Sequence, residues 1–168
     1  NSAGISRFAN HQYEMVRLGI GLYGVGHDAA SQRNLRNVST LRSVITQIKR
    51  VPAGDSIGYN RKGKVSRDSL IAVIPVGYAD GFDRRLGNGR GVVFIGDHPA
   101  PVIGNVCMDL TMIDITGLPE SGSITEGTPV ILFGDQQPVA EMADAMGTIR
   151  YEVLTGISRR VKRIYFYE

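Results

Sequence analysis

Ile71-Ala72-Val73-Ile74-Pro75-Val76-Gly77-Tyr78-Ala79-Asp80-Gly81 is an apolar run that ends in Gly-Tyr and then a second glycine. A strand that ends in this way delivers a phenol at a turn, where it can face a cleft instead of a core. The same ending occurs upstream, where Asp55-Ser56-Ile57 leads into Gly58-Tyr59-Asn60-Arg61-Lys62-Gly63. The plain alternative is a pair of rim tyrosines, rings half buried and hydroxyls in water. What decides between the two is the company they keep along the chain.

Outward from these stretches the pattern is one of short strands separated by Gly, Pro and Asp turns. Strands are expected at 43–51, 56–59, 69–76, 91–95, 100–106, 110–115, 129–133 and 156–166. Turn signals fall between them at Pro52-Ala53-Gly54-Asp55, Gly87-Asn88-Gly89, Gly96-Asp97 and Gly134-Asp135,. Such spacing predicts an all-β barrel or sandwich. One helix is expected, Val139 to Met146, entered after Pro138 and stopped by Gly147,.

Residues 1–37 read differently. Ile5, Phe8, Ala9 and Gln12-Tyr13 have the spacing of a short helix,. Met15 to Gly24 is apolar nearly throughout and rich in Gly, the pattern of a parallel strand covered on both faces,. Arg17 lies inside that run, and a buried guanidinium needs a carboxylate, a phosphate or a ligand acceptor,. From Val25 to about Asn37 the chain turns polar, which reads as a linker and a domain boundary.

Composition bounds the rest. The 168 residues suffice for one ordinary domain, or one domain and a piece of another,. No apolar run approaches the roughly 20 residues of a membrane span. Nothing resembles a secretory leader. Basic clusters at Arg61-Lys62-Lys64 and Arg159-Arg160-Lys162-Arg163 lack aromatic interleaving and read as solvated faces, so nucleic acid is not expected as a partner,. The single Cys107 excludes an internal disulfide and fits a reducing, cytoplasmic compartment,. It reads as a small buried hydrophobe, since no His neighbours it. His11, His27 and His98 lack metal-ligand spacing, so no metal is expected,. The chain begins Asn1-Ser2-Ala3 without Met, as an excised piece of something longer would.

Six motifs in order resemble the C-terminal part of the alanine racemases, pyridoxal 5'-phosphate (PLP) enzymes that interconvert L- and D-alanine. They are Asn1-Ser2-Ala3; Val16-Arg17-Leu18-Gly19-Ile20 with Leu22-Tyr23-Gly24; Gly54 to Tyr59; Pro75 to Gly81; Gly104-Asn105-Val106-Cys107-Met108-Asp109; and Tyr151-Glu152-Val153-Leu154. The resemblance implies a mainly β fold, the Greek-key-like C-terminal β-barrel domain at 38–168. Residues 1–37 would be the last helix and strand of a truncated (β/α)8 PLP barrel, plus the linker. Left without its neighbours, that strand should be disordered or add to another sheet edge.

Racemisation takes the α-proton from one face of a cofactor-bound amino acid and returns it on the other, which calls for two acid/base groups. In this family one is the PLP lysine, absent from these residues. The resemblance places the other at Tyr59. A phenol with an ordinary pKa near 10 is a poor base at neutral pH without help. In the family that help comes from a barrel histidine that also lies outside this chain. Arg17 matches the arginine that faces the pyridine nitrogen. Because it is always protonated, it donates there and makes the cofactor a weaker electron sink. Ser2, Gly19 and Ile20 match positions that hold the PLP phosphate, and Tyr151 matches a tyrosine reaching the same phosphate. Tyr78 matches a tyrosine at the substrate entrance, and Met108 (through its N–H) with Asp109 a pair near the substrate carboxylate. Tyr59, Tyr78, Met108 and Asp109 would act across a head-to-tail homodimer.

The implied role is racemisation of alanine for peptidoglycan precursors, with these residues inactive on their own. Asn60 stands where Gly is more usual, and Asn best tolerates a left-handed backbone,. That departure leaves open a racemase of another small amino acid such as serine. A barrel-type decarboxylase would carry a Cys-Asp pair, which Cys107-Met108-Asp109 does not supply. A free-standing β-barrel interaction module is the reading from another class, and a buried Arg17 speaks against it.

Overall fold

A computed structural model describes residues 1–119 and 121–166. The last two positions expected of the β-domain, 167–168, lie outside the described residues. In chain order the helices and strands are α1 (Ser2–Arg7), α2 (Ala29–Gln32), β1 (Leu41–Val44), β2 (Gln47–Val51), β3 (Ser56–Ile57), β4 (Gly63–Lys64) and β5 (Ser69–Ile74). There follow β6 (Val92–Ile95), β7 (His98–Pro101), β8 (Thr111–Asp114), β9 (Pro129–Phe133), α3 (Val139–Met146) and α4 (Arg150–Gly156).

The expected single strand at 43–51 turns a corner. β1 pairs with β9 in a sheet ordered β1-β9-β6-β7, whereas β2 pairs with β5 in a sheet ordered β2-β5-β8. Between them Ile45 exchanges backbone hydrogen bonds with Gly127 and Thr128, and the Thr46 N–H donates to Val73 O at 2.8 Å. At the opposite seam β7 runs on into a Val102–Ile113 bridge beside β8. The two sheets therefore close into one antiparallel barrel of seven strands, with the β3–β4 hairpin outside it.

Alternation builds the interior. Ala72 and Ile74 of β5, Val93 of β6, Ile113 of β8, and Val130 and Leu132 of β9 are sealed from solvent, and Phe82 and Leu86 beyond β5 join them. α3 forms as expected. Val139, Met142, Ala143 and Met146 fall on one face and pack into the barrel core, and Gly147 ends the helix at φ 67°,.

Several expectations fail. The 100–106 strand ends at Pro101 apart from the single Val102 bridge. Residues 156–166 form no strand. The chain enters there from α4, which buries Val153, and Arg163 then donates to the carbonyls of Ile157, Ser158 and Val161, folding the segment on itself. Met15 to Gly24 is not a buried strand and joins no sheet. It is extended up to a single 3-10 turn at Ile20–Tyr23, and only Ile20 and Gly24 in it are buried. A doubly covered parallel strand needs partners on either side, and the closed barrel offers none. The N-terminal helix expected to reach Gln12-Tyr13 stops at Arg7, with a separate turn at Ala9–His11, and α2 and α4 form where no helix was expected. No helix among the described residues is long and apolar enough to cross a membrane.

Candidate functional site

Gly77 is where the architecture becomes a site. Strand β5 ends at Ile74, and the following turn lies against the 105–110 loop so closely that a Cβ on residue 77 would sit 2.2 Å from Cys107 O and 2.4 Å from Met108 O. Only glycine fits there. The contact is used, because the Tyr78 N–H donates to Cys107 O and the Ala79 N–H to Met108 O, both at 3.0 Å. Tyr78 and Met108 thereby come from separate loops held edge to edge.

Asp80 fixes this pair. One carboxylate oxygen accepts from the Gly77 N–H at 2.9 Å, and the other from Arg160 Nε at 2.7 Å. The second arm of the same guanidinium donates to Asp109 Oδ1 at 2.6 Å. Burial pushes the Asp80 carboxyl up. The hydrogen bonds from Arg160 and Gly77, with the guanidinium charge, outweigh that and hold it below its ordinary value,. Burial pushes the Cys107 thiol up, against a smaller opposing pull from the charge of Arg84. A thiol kept protonated is no nucleophile. Cys107 is half buried, not the buried hydrophobe expected.

Tyr59 sits on a second, tighter turn. Gly58 adopts φ 72°, followed by Asn60 at φ 56° and Arg61 at φ 52°. A Cβ at Gly58 would also meet Met112 Cε at 2.8 Å. Asn60 thus keeps the left-handed backbone a glycine would adopt. Arg61 accepts the same strain, and its Nε donates to Ser56 Oγ at 2.9 Å. The turn is tied to the 105–110 loop by a relay of amides. Asn88 Nδ2 donates to Asn105 Oδ1 at 3.0 Å, and Asn105 Nδ2 donates to Tyr59 O at 3.2 Å. The Tyr59 ring is 72% exposed, and neither the Tyr59 nor the Tyr78 hydroxyl has a partner among the described residues.

The N-terminal candidates divide. The N–H groups of Gly19 and Gly21 converge on Ser2 Oγ at 3.0 and 3.3 Å, and the adjacent Ile20 N–H has no acceptor among the described residues. The Gly19 and Gly21 N–H groups are thus taken up by the serine hydroxyl. Arg17 is exposed, lines a groove of about 380 Å³ with Phe8, His11 and Met15, and has no partner among the described residues. Its expected burial in a strand is therefore overturned. Tyr151 stands on α4 with an exposed ring and a hydroxyl without a partner among the described residues.

Of the residues predicted from sequence, Tyr59, Tyr78, Met108 and Asp109 share one end of the barrel, and Ser2, Gly19 and Ile20 share a second cluster. Neither Arg17 nor Tyr151 hydrogen-bonds to that cluster. Sequence reasoning missed Arg160 and the Asn88–Asn105 relay. A usable signal existed in Asp80 and Asp109. Each follows closely on a candidate site residue, and two carboxylates on adjoining loops call for a cation between them.

A closed antiparallel barrel presenting two turn-borne tyrosines at one end defines a small β-domain whose loops, not its interior, carry its chemistry. Residues 38–165 match the family model described as alanine racemase, C-terminal domain. The chain is 41% identical to alanine racemase 1 of Clostridium acetobutylicum, covering 98% of this chain and 44% of that protein. It is 42% identical to the alanine racemase of Rickettsia bellii, covering 98% and 40%. Alanine racemase from D-cycloserine-producing Streptomyces lavendulae superposes with a TM-score of 0.90 at 28% identity, covering 99% of this chain and 44% of that one. The Bartonella henselae enzyme with covalently bound pyridoxal phosphate superposes at 0.80 with 34% identity, covering 88% and 40%. This chain belongs to the alanine racemase C-terminal domain family. It spans less than half the length of the curated relatives it matches.

Proposed function

We propose that this chain is the C-terminal part of a PLP-dependent alanine racemase, in which Tyr59 is the acid/base on one face of the substrate. The observation that carries the reading is the meeting of three loops at one barrel end. The Tyr59 turn, the Tyr78 turn and the Met108–Asp109 loop are joined through Asn105 and the carbonyls of Cys107 and Met108. Tyr59 Oη, unpartnered and exposed, is free to take a proton from a substrate Cα or return one. Tyr78 borders the approach. The Met108 N–H orients the carboxylate of a small amino acid, and Asp109 stands beside that position, paired with Arg160.

Residues 1–37 belong with a PLP-carrying barrel and 38–168 form the β-domain, a division supported by the family match beginning at residue 38. Ser2 Oγ, the N–H groups of Gly19 and Ile20, the Tyr151 hydroxyl and the Arg17 guanidinium would hold PLP. The cofactor, when bound, supplies the electron sink that makes an α-proton removable. Tyr59, Tyr78, Met108 and Asp109 serve the site of a second subunit. Their exposure supports this, since Tyr59, Met108, Leu110 and Tyr78 together leave an apolar surface open,. The enzyme is cytoplasmic and supplies D-alanine for peptidoglycan, and the 168 residues alone are inactive. Asn60 retains the expected left-handed turn, and alanine is the proposed substrate because the relatives matched are alanine racemases.

The test is racemisation kinetics on L-alanine and L-serine, with PLP, by the full-length natural chain that carries these residues. Racemisation of alanine in preference to serine supports the reading, and no racemisation of either removes it.

A further inference from the structure

Asp109 poses a problem for the reading above. A carboxylate set beside the position of a substrate carboxylate repels it, and the repulsion is greatest where the site excludes water. The structure supplies an answer from outside the six motifs. We propose that Arg160 is a positioning residue for substrate binding, which neutralises Asp109 and holds it on the Tyr78 loop so that an amino acid carboxylate can approach Met108. This rests on the racemase reading and deepens it.

Several contacts aim Arg160 at this task. The Ser158 N–H donates to Asp80 O at 3.0 Å, fastening the 156–161 segment to the Tyr78 turn. The approach is close enough that a Cβ on Gly81 would lie 2.5 Å from Gly156 O. Arg163 closes the segment by donating to the carbonyls of Ile157, Ser158 and Val161 at 3.0–3.1 Å. Arg160 is thereby projected between two loops, its Nε on Asp80 and its Nη2 on Asp109. Asp80 spends its remaining oxygen on the Gly77 N–H, so the guanidinium is oriented from the better buried side, where the Asp80 side chain is 13% exposed against 58% for Asp109. The outer arm of the fork is left to meet the more exposed carboxylate. Lysine, with one point charge, cannot serve both carboxylates in this planar geometry.

The experiment compares wild type, Arg160→Gln, Arg160→Lys and Arg160→Gln/Asp109→Asn in the full-length holoenzyme, measuring kcat and KM for L-alanine together with amide hydrogen exchange at Tyr78 and Ala79. Arg160→Gln should raise KM on the order of fivefold with kcat within about twofold, as loss of a half-exposed charge interaction made equally before and during reaction would do. Arg160→Lys should recover part of the KM, and removing the Asp109 charge in the double variant should recover most of it. An unchanged KM overturns the proposal. So does a KM that stays high in the double variant, or a fall in kcat accompanied by faster exchange at Tyr78 and Ala79, either of which makes Arg160 a structural brace. If wild type itself does not racemise alanine, the racemase reading has failed and takes the proposal with it.

Discussion

Two regions of this chain carry candidate site residues, the Tyr59–Tyr78 end of the barrel and the first 24 residues, and they are built on different physics. At the Tyr59–Tyr78 end, loops are clamped by backbone approaches that admit no Cβ, by hydrogen bonds between main chains, and by an arginine shared between two carboxylates. The barrel beneath them has its core residues sealed from solvent. In the first 24 residues only Ile20 and Gly24 are buried, while Phe8, Tyr13, Met15, Leu18 and Leu22 face outward. Loops that hang from a closed barrel inherit its rigidity. A segment whose apolar side chains face outward does not stiffen itself.

That contrast can be broken by mutation. Phe82 is fully buried beneath the Tyr78 turn, so Phe82→Ala should cost about 3–5 kcal/mol in urea unfolding,. Phe8→Ala, at 60% exposed, should stay within about 0.5 kcal/mol,. Comparable losses at both positions would erase the distinction. Gly77→Ala forces a methyl into Cys107 O and should cost about 1–3 kcal/mol, the range for overpacking, while raising the exchange rates of the Tyr78 and Ala79 amides,. An unchanged exchange rate would mean that the two loops are not held together there.

Acid should reach the loop end by a separate route. Asp80 has a folded pKa below its ordinary 3.8, so its contribution to stability is complete above about pH 5 and is lost as pH falls through the folded value,. The unfolding midpoint of the wild type should therefore drop more between pH 6 and pH 3 than that of Asp80→Asn. Parallel drops would assign the acid sensitivity elsewhere.

How far these regions could be read from sequence follows from the same contrast. Strands β5, β6, β8 and β9 were legible as short apolar runs bounded by Gly, Pro and Asp turns, and helix α3 because burial on one face imposes a period of 3.6,. Gly58 and Gly77 were legible as turns. Their positive φ or missing Cβ room was not, since it depends on Met112 and Cys107, distant in sequence. The corner at Ile45–Thr46 was invisible because no Gly or Pro marks it between Ser43 and Val51, and the change of partner from β9 to β5 depends on strands distant in sequence. Met15 to Gly24 misled for the opposite reason. Its continuous apolar pattern describes a strand with neighbours on both sides, and no such neighbours exist among these residues. Arg160 was hidden because its partners lie 80 and 51 positions away. Helix α4 is seven residues with one buried side chain, too short to show a period.

The central claim is that Tyr59 carries a proton at one face of the substrate. The measurement that meets it most directly is racemisation of alanine by the full-length chain carrying Tyr59→Phe, run alongside exchange of the α-hydrogen with deuterated solvent. The account predicts that racemisation falls about a hundredfold or more in both directions, while exchange persists for one enantiomer, whose proton leaves by the opposite face. Racemisation at the wild-type rate would make Tyr59 a rim tyrosine and leave the assignment without its mechanism.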